Sequence, residues 1–270
     1  MTIRADDGVP VFEGHLRPRL AKEGVDLNAV DQWLASPRIR NSATLPRSLS
    51  EDELEKPLSL TIEVGDDPQA FAESFAGIPR LTAKVLGKST VRLTIVPGAK
   101  PSQSIAVATL STSQRKQLLG SDGLLNPAHP RVKSLAKKIV PKDSQPKEAA
   151  AAILAWVKKN VAYEITPQAV DAIDVLDKKR GDCTEYSVLA VSLLRAAGVP
   201  AELRQGMAVQ NAEMVAHNWI AYHDGTGWRE ADPTFGKVSV GSGHIEASLL
   251  EFISLISVGG LKIVGVELGK

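Results

Sequence analysis

The chain has 270 residues, 43% of them apolar, with 32 Lys and Arg against 31 Asp and Glu. Such a balance leaves no global field to gather nucleic acid or an anionic membrane, and the length allows a sizeable core and two domains. The single cysteine, Cys183, excludes an internal disulfide and a thiolate-rich zinc site.

Met1 to Gly14 carries charge and proline but no apolar h-region, so no signal peptide is expected in the chain as given. That leaves the compartment open between the cytoplasm and export with the signal removed. Residues 1–55 are mixed, with Pro10, Pro18, Pro37 and Pro46 and a short helical patch at Leu27 to Leu34. The texture then changes. Leu58 to Val64, Leu81 to Leu86 and Thr90 to Val96 alternate apolar and polar residues, and the last two flank Gly87-Lys88-Ser89. That pattern predicts a hairpin of half-buried strands. With Ile105 to Leu110 added, residues 56–112 read as a small β-rich, sandwich-like domain, 113–127 as a connector, and 128–270 as a second domain.

Pro146 suits a first helical turn and opens Lys147 to Asn160, with Ile153, Leu154, Trp156 and Val157 on one face. Ala169 to Lys179 reads as a shorter helix, with Gly181 as its left-handed stop. A third helix, Cys183 to Ala197, ends at Gly198 and Pro200. Strands are expected at Ala201 to Val209, Val215 to His223 and Trp228 to Thr234, the last two joined by the turn Asp224-Gly225-Thr226-Gly227. Leu249 to Val266 is interrupted by Glu251, Gly259, Gly260 and Lys262, which predicts a core helix plus strand and no transmembrane span. The basic pairs Lys137-Lys138, Lys158-Lys159 and Lys178-Lys179 read as solvated helix faces.

The cysteine sits in Arg180-Gly181-Asp182-Cys183-Thr184-Glu185-Tyr186, a polar run where a structural cysteine has little reason to be. Asp182, followed three residues later by Glu185, is a capping-box pattern that puts Cys183 at the first helical position. Free amide groups and the positive end of the helix dipole favour a thiolate there. A small filler beside a cap is the alternative.

A nucleophilic thiolate needs a base and a group to orient that base. His217 lies in a strand 34 residues on, and Asp232 follows it by 15. If Asp224 pairs with Gly227 across a two-residue tip, His217 falls opposite Thr234 and Asp232 opposite Trp219. The histidine and aspartate then share a face one diagonal step apart, about 7–8 Å between backbones. His223, next to the turn, and His244, after Gly241-Ser242-Gly243, read as structural.

These blocks carry a family likeness. Gly181-Asp182-Cys183-Thr184-Glu185-Tyr186 opens a helix that ends Leu194-Arg195-Ala196-Ala197-Gly198-Val199-Pro200-Ala201. His217-Asn218-Trp219, Trp228 and Ala231-Asp232-Pro233-Thr234 follow. In order and spacing this resembles the transglutaminase-like superfamily of bacterial papain-like cysteine enzymes, over roughly residues 128–236. The resemblance implies an α+β fold, a papain-like core in which a nucleophile helix packs on an antiparallel sheet, preceded by a β-rich domain. It implies Cys183 as nucleophile, His217 as base and Asp232 as orienting group.

The expected reaction is acyl transfer on an amide bond through a thioester, most simply hydrolysis of a peptide or isopeptide. Cross-linking to an amine, as by a protein-glutamine gamma-glutamyltransferase, and a non-catalytic protein-binding module on the same fold are the alternatives. The Cys183 amide is the expected oxyanion donor, with Tyr163 and Trp219 as candidates for a second. No metal constellation, phosphate loop or basic-aromatic pattern is visible. No cofactor, metal or nucleic acid is therefore expected, and the expected partner is a protein or peptide substrate.

Overall fold

A six-stranded sheet, a four-stranded sheet, two strand pairs (residues 2–6 with 9–13, and 162–163 with 180–181) and a set of helices are seen in a computed structural model that describes residues 2–6, 9–13, 42–65, 67–78, 80–98, 100–101, 110–165, 170–247 and 261–269. In chain order the first elements are β1 (Thr2–Asp6), β2 (Val9–Glu13), β3 (Ser42–Thr44), α1 (Glu51–Leu54), β4 (Leu58–Val64), α2 (Pro68–Glu73), β5 (Leu81–Val85), β6 (Thr90–Ile95) and β7 (Lys100–Pro101). Next come α3 (Thr112–Leu119), α4 (Pro130–Ile139), α5 (Pro146–Asn160), β8 (Ala162–Tyr163), α6 (Ala172–Lys178), β9 (Arg180–Gly181) and α7 (Cys183–Ala196). The last are β10 (Ala201–Gln210), β11 (Glu213–His223), β12 (Gly227–Ala231), β13 (His244–Glu246) and β14 (Leu261–Leu268). The protein is α+β.

The alternation read from residues 58–96 becomes an antiparallel sheet in the order β14-β4-β6-β5. One row of side chains, Leu58, Leu60 and Ile62 with Val91, Leu93 and Ile95, is fully buried. Each such side chain contributes about 1.5–3 kcal/mol by leaving water. β14 pairs along β4, Leu268 opposite Leu58 and Ile263 opposite Ile62, so this sheet joins segments some 200 residues apart in sequence.

A second sheet runs β13-β10-β11-β12-β7, with β3 on the far end of β11. Its Met207, Val209, Met214 and Ile245 pack into the core of the first sheet. Ala201, Ile220, Tyr222 and Ala231 pack against α7 and the other helices. Every residue of α7 from Glu185 to Arg195 is buried, as expected of a helix enclosed on all sides.

The hairpin register is the expected one: His223 pairs with Trp228 and Ile220 with Ala231, and Asp224 N–H donates to Gly227 O at 3.0 Å. β12 nevertheless stops at Ala231 and does not reach Thr234. Pro233 has no N–H to give a ladder, and Asp232 instead bridges to Lys237 through backbone bonds of 2.7 and 2.8 Å.

Two other readings change. The left-handed cap of α6 is Lys179, at φ +53°, and not Gly181, which lies in the two-residue strand β9. Glycine is needed at 181 for space: a Cβ there would stand 2.2 Å from the Cβ of Glu185. The stretch Ser111 to Pro130 contains α3, started by a Ser111–Gln114 capping box but burying none of its own residues, which is why it shows no apolar period. The patch at Leu27 to Leu34, nearly all of Ile105 to Leu110 and the helix expected from Leu249 lie outside the described residues. Among the described residues no helix is long and apolar enough to cross a membrane.

Candidate active site

The start of α7 is built as a cap. Asp182 accepts the Thr184 N–H at 2.9 Å, and Glu185 Oε2 accepts the Asp182 N–H at 2.9 Å, which completes the capping box. Cys183 is half-buried at the first position of this helix. Burial, with the Asp182 charge beside it, pushes the Glu185 carboxyl up to about 7.

β11 brings His217 to the cysteine. Its Nε2 lies 2.7 Å from Asp232 Oδ2, in a setting where His217 is 4% exposed and Asp232 not at all. With Nε2 on the carboxylate, the other ring nitrogen is the one left for the thiol. Burial opposes the charged ring, but hydrogen bonds to Asp232 and to Cys183, and their charges, outweigh it and push the His217 pKa up to about 10. His217 lies parallel to Phe235 at 5.1 Å and to Trp219 at 6.3 Å between ring centroids. Next to the pair, Asn218 Nδ2 donates to Thr184 Oγ1 at 2.9 Å, tying β11 to the start of α7.

Asp232 is held from both sides. Oδ1 accepts the Thr234 and Phe235 N–H groups at 2.8 and 3.2 Å. Oδ2 accepts from His217 and also from His244 Nε2, at 2.8 Å. Burial would raise this carboxyl; hydrogen bonds from His217 and His244 and their charges hold it well below the usual range. Burial in turn depresses His244, which favours a neutral ring donating its Nε2 proton.

His244 is the residue that the sequence reading missed. It arrives on β13, which pairs with β10, and the approach depends on Gly206: a Cβ there would meet Ile245 O at 2.0 Å. The ligand atoms of His217, Asp232 and His244 lie within 4.8 Å of one another. That donor set would suit a divalent ion, yet the two Nε2–Oδ2 hydrogen bonds already use all three atoms.

The remaining singled-out residues divide. Trp219 is fully buried and its indole N–H donates to Glu230 Oε2 at 2.8 Å, so that donor is committed away from any oxyanion. Tyr163 is 59% exposed beside the cysteine; burial and then the charges of Cys183 and Asp182 raise its phenol. His223 accepts the Gly225 N–H in the turn.

Residues 133–233 match the family model described as the transglutaminase-like superfamily. The match runs from within α4 to just beyond β12 and leaves the rest of the chain unmatched. A protein-glutamine gamma-glutamyltransferase of Pseudomonas aeruginosa is 32% identical over 123 residues, which are 40% of this chain and 18% of that protein. An uncharacterized protein of Mycobacterium leprae is 28% identical over 118 residues, 40% of this chain and 42% of that one. The chain thus spans less than half the length of either relative. Among solved structures, it is similar to a protein of Cytophaga hutchinsonii described as a candidate cysteine protease, with TM-score 0.42, 14% identity and coverage of 79% and 86% of the two chains. It is also similar to the periplasmic domain of TgpA from Pseudomonas aeruginosa, with TM-score 0.40, 17% identity and coverage of 75% and 89%. Cys183, His217 and Asp232 all lie within the matched span, whereas His244 lies outside it.

Proposed function

We propose that the protein is a cysteine-dependent acyl-transfer enzyme with Cys183 as nucleophile, His217 as acid and base, and Asp232 as orienting group. The observation that carries this reading is the buried 2.7 Å His217–Asp232 hydrogen bond, with Cys183 at the start of α7 near the same imidazole. An imidazolium beside the helix start favours the thiolate, the form that attacks.

In the reaction, the thiolate sulfur adds to an amide carbonyl carbon, and the carbonyl oxygen takes up the negative charge. The Cys183 N–H lies outside the cap bonds that Asp182 makes to later amides, and it is the expected donor to that oxygen. As the C–N bond breaks, His217 gives its proton to the leaving amine and a thioester remains. His217 then takes a proton from the incoming nucleophile, the C–S bond breaks, and the thiolate returns. With water as acceptor the product is a free acid, and the proposed reaction is hydrolysis of a peptide or isopeptide. Transfer to an amine is the second reading, favoured by the glutamyltransferase relative.

The test combines a glutamine-containing protein substrate, a fluorescent primary amine and mass spectrometry of both proteins. Expected are a +thioester adduct on Cys183, a hydrolysed product, and loss of the adduct in Cys183→Ala and His217→Ala. Amine incorporation in place of hydrolysis would replace the first acceptor by the second. Undiminished acylation in His217→Ala would overturn the triad.

A further inference from the structure

We propose that Arg80, at the edge of the four-stranded sheet, is a positioning residue that holds both His217 and Asp232 in place; the inference rests on the triad reading above. Arg80 precedes β5 and is 150 residues from its main partner in sequence. Its side chain is 7% exposed.

All five guanidinium N–H donors are used. Nε donates to Glu230 Oε1 at 3.0 Å and Nη2 to Glu230 Oε2 at 2.9 Å, a forked pair. Nη1 donates to Val96 O and to Gly241 O, each at 3.2 Å, and Nη2 also to His244 O at 3.3 Å. The backbone at Arg80 is left-handed, φ +68°, a conformation uncommon for a residue with a side chain. It is held by Val96 N–H donating to Arg80 O at 3.0 Å.

From this one side chain two routes reach the candidate triad. Glu230 Oε2 also takes the Trp219 indole N–H at 2.8 Å, and the Trp219 ring lies parallel to His217. The second route runs through the His244 carbonyl, because the His244 ring donates to Asp232 Oδ2. Loss of the fork frees Glu230 to turn and loosens the 241–244 segment, so His217 loses its backing ring while Asp232 loses its second donor. The titratable and charged groups that face His217 and this network are Cys183 from α7, Asp232 after β12, His244 and Glu246 from β13, Glu230 from β12 and Arg80 itself.

A lysine at 80 keeps the charge but cannot form the fork. Arg80→Lys therefore separates positioning from charge. The double variant Arg80→Met with Glu230→Gln removes the ion pair without leaving a buried charge behind, a kind of replacement that folds are known to tolerate, and Gln can still accept from Trp219.

The experiment measures iodoacetamide alkylation of the sole thiol from pH 5.5 to 9, with the His217 ring followed by NMR over the same range. In the wild type the rate at pH 6 stays within about fivefold of that at pH 8.5, whereas an ordinary thiol loses about a hundredfold. Arg80→Lys and the double variant are expected to lose a further factor of about ten at pH 6, with His217 titrating at lower pH. Arg92→Lys, on the same sheet and paired with Glu267, is expected to match the wild type. Wild-type profiles in both Arg80 variants would overturn this inference and leave the triad standing. An ordinary thiol profile in the wild type itself would overturn the triad reading and this inference with it.

Discussion

The four-stranded sheet and the cluster round Asp232 are equally dry, and they are held in opposite ways. In the sheet, Leu58, Leu60, Ile62, Val91, Leu93 and Ile95 are inaccessible to solvent. Within β4 and β6 every buried residue is apolar. Stabilisation there scales with apolar area and has no direction, so another apolar side chain of similar volume serves nearly as well. Asp232 is just as inaccessible but carries charge, and its burial is offset by bonds from two histidines and two backbone amides. Those bonds need particular atoms at particular distances. The first region can absorb substitution, whereas the second, where catalysis is proposed, cannot.

The largest test of that contrast pairs Asp232→Asn with Leu60→Ala. The aspartate variant keeps the shape but removes the charge facing His217, and acylation is expected to fall by about 10²–10⁴-fold. Leu60→Ala is expected to cost about 2–5 kcal/mol in urea unfolding, while the folded fraction keeps its alkylation profile at Cys183. A wild-type acylation rate in Asp232→Asn, or an altered thiol profile in Leu60→Ala, would erase the distinction.

A smaller effect separates the two histidines on one carboxylate. His217 has a folded pKa of about 10, above the ordinary 6.5, so its contribution to stability is complete below pH 6.5 and is lost as pH rises towards 10. His244 is depressed by burial, so the unfolded chain takes up its proton first and stability is lost as pH falls through 6.5. Unfolding midpoints across pH 5–10 should show both limbs, and His244→Asn should flatten the acid limb alone. Loss of the alkaline limb in that variant would mean that the two rings act as one.

The smallest expected effect lies at the cap. Glu185 is raised by burial from 4.5 to about 7, so the folded state keeps a proton that the unfolded state has released, and stability falls as pH rises across that interval. The Asp182 and Val170 N–H groups donate to the two different carboxylate oxygens of Glu185, so Glu185→Gln removes the titration and keeps an acceptor for one of the two amides. Its unfolding midpoint should be flatter than the wild type between pH 4.5 and 7. An unchanged slope would assign the pH dependence to another group.

What the sequence determined by itself was local. The Asp182–Glu185 cap, the helix that starts at Cys183, the turn at Asp224–Gly227 and the strand register that puts His217 and Asp232 on one face all follow from signals within a few residues of each feature. The Trp219–Glu230 bond was not among those readings, and it takes up the indole N–H that the sequence offered as an oxyanion donor. Tertiary structure alone decided the rest. His244 reaches Asp232 only because β13 pairs with β10 across Gly206. Arg80 reaches Glu230 across 150 residues, and β14 finds β4 from the other end of the chain. Period, cap and turn are set by bonds between near neighbours, whereas these contacts depend on how whole layers stack, and no short stretch of chain carries that information.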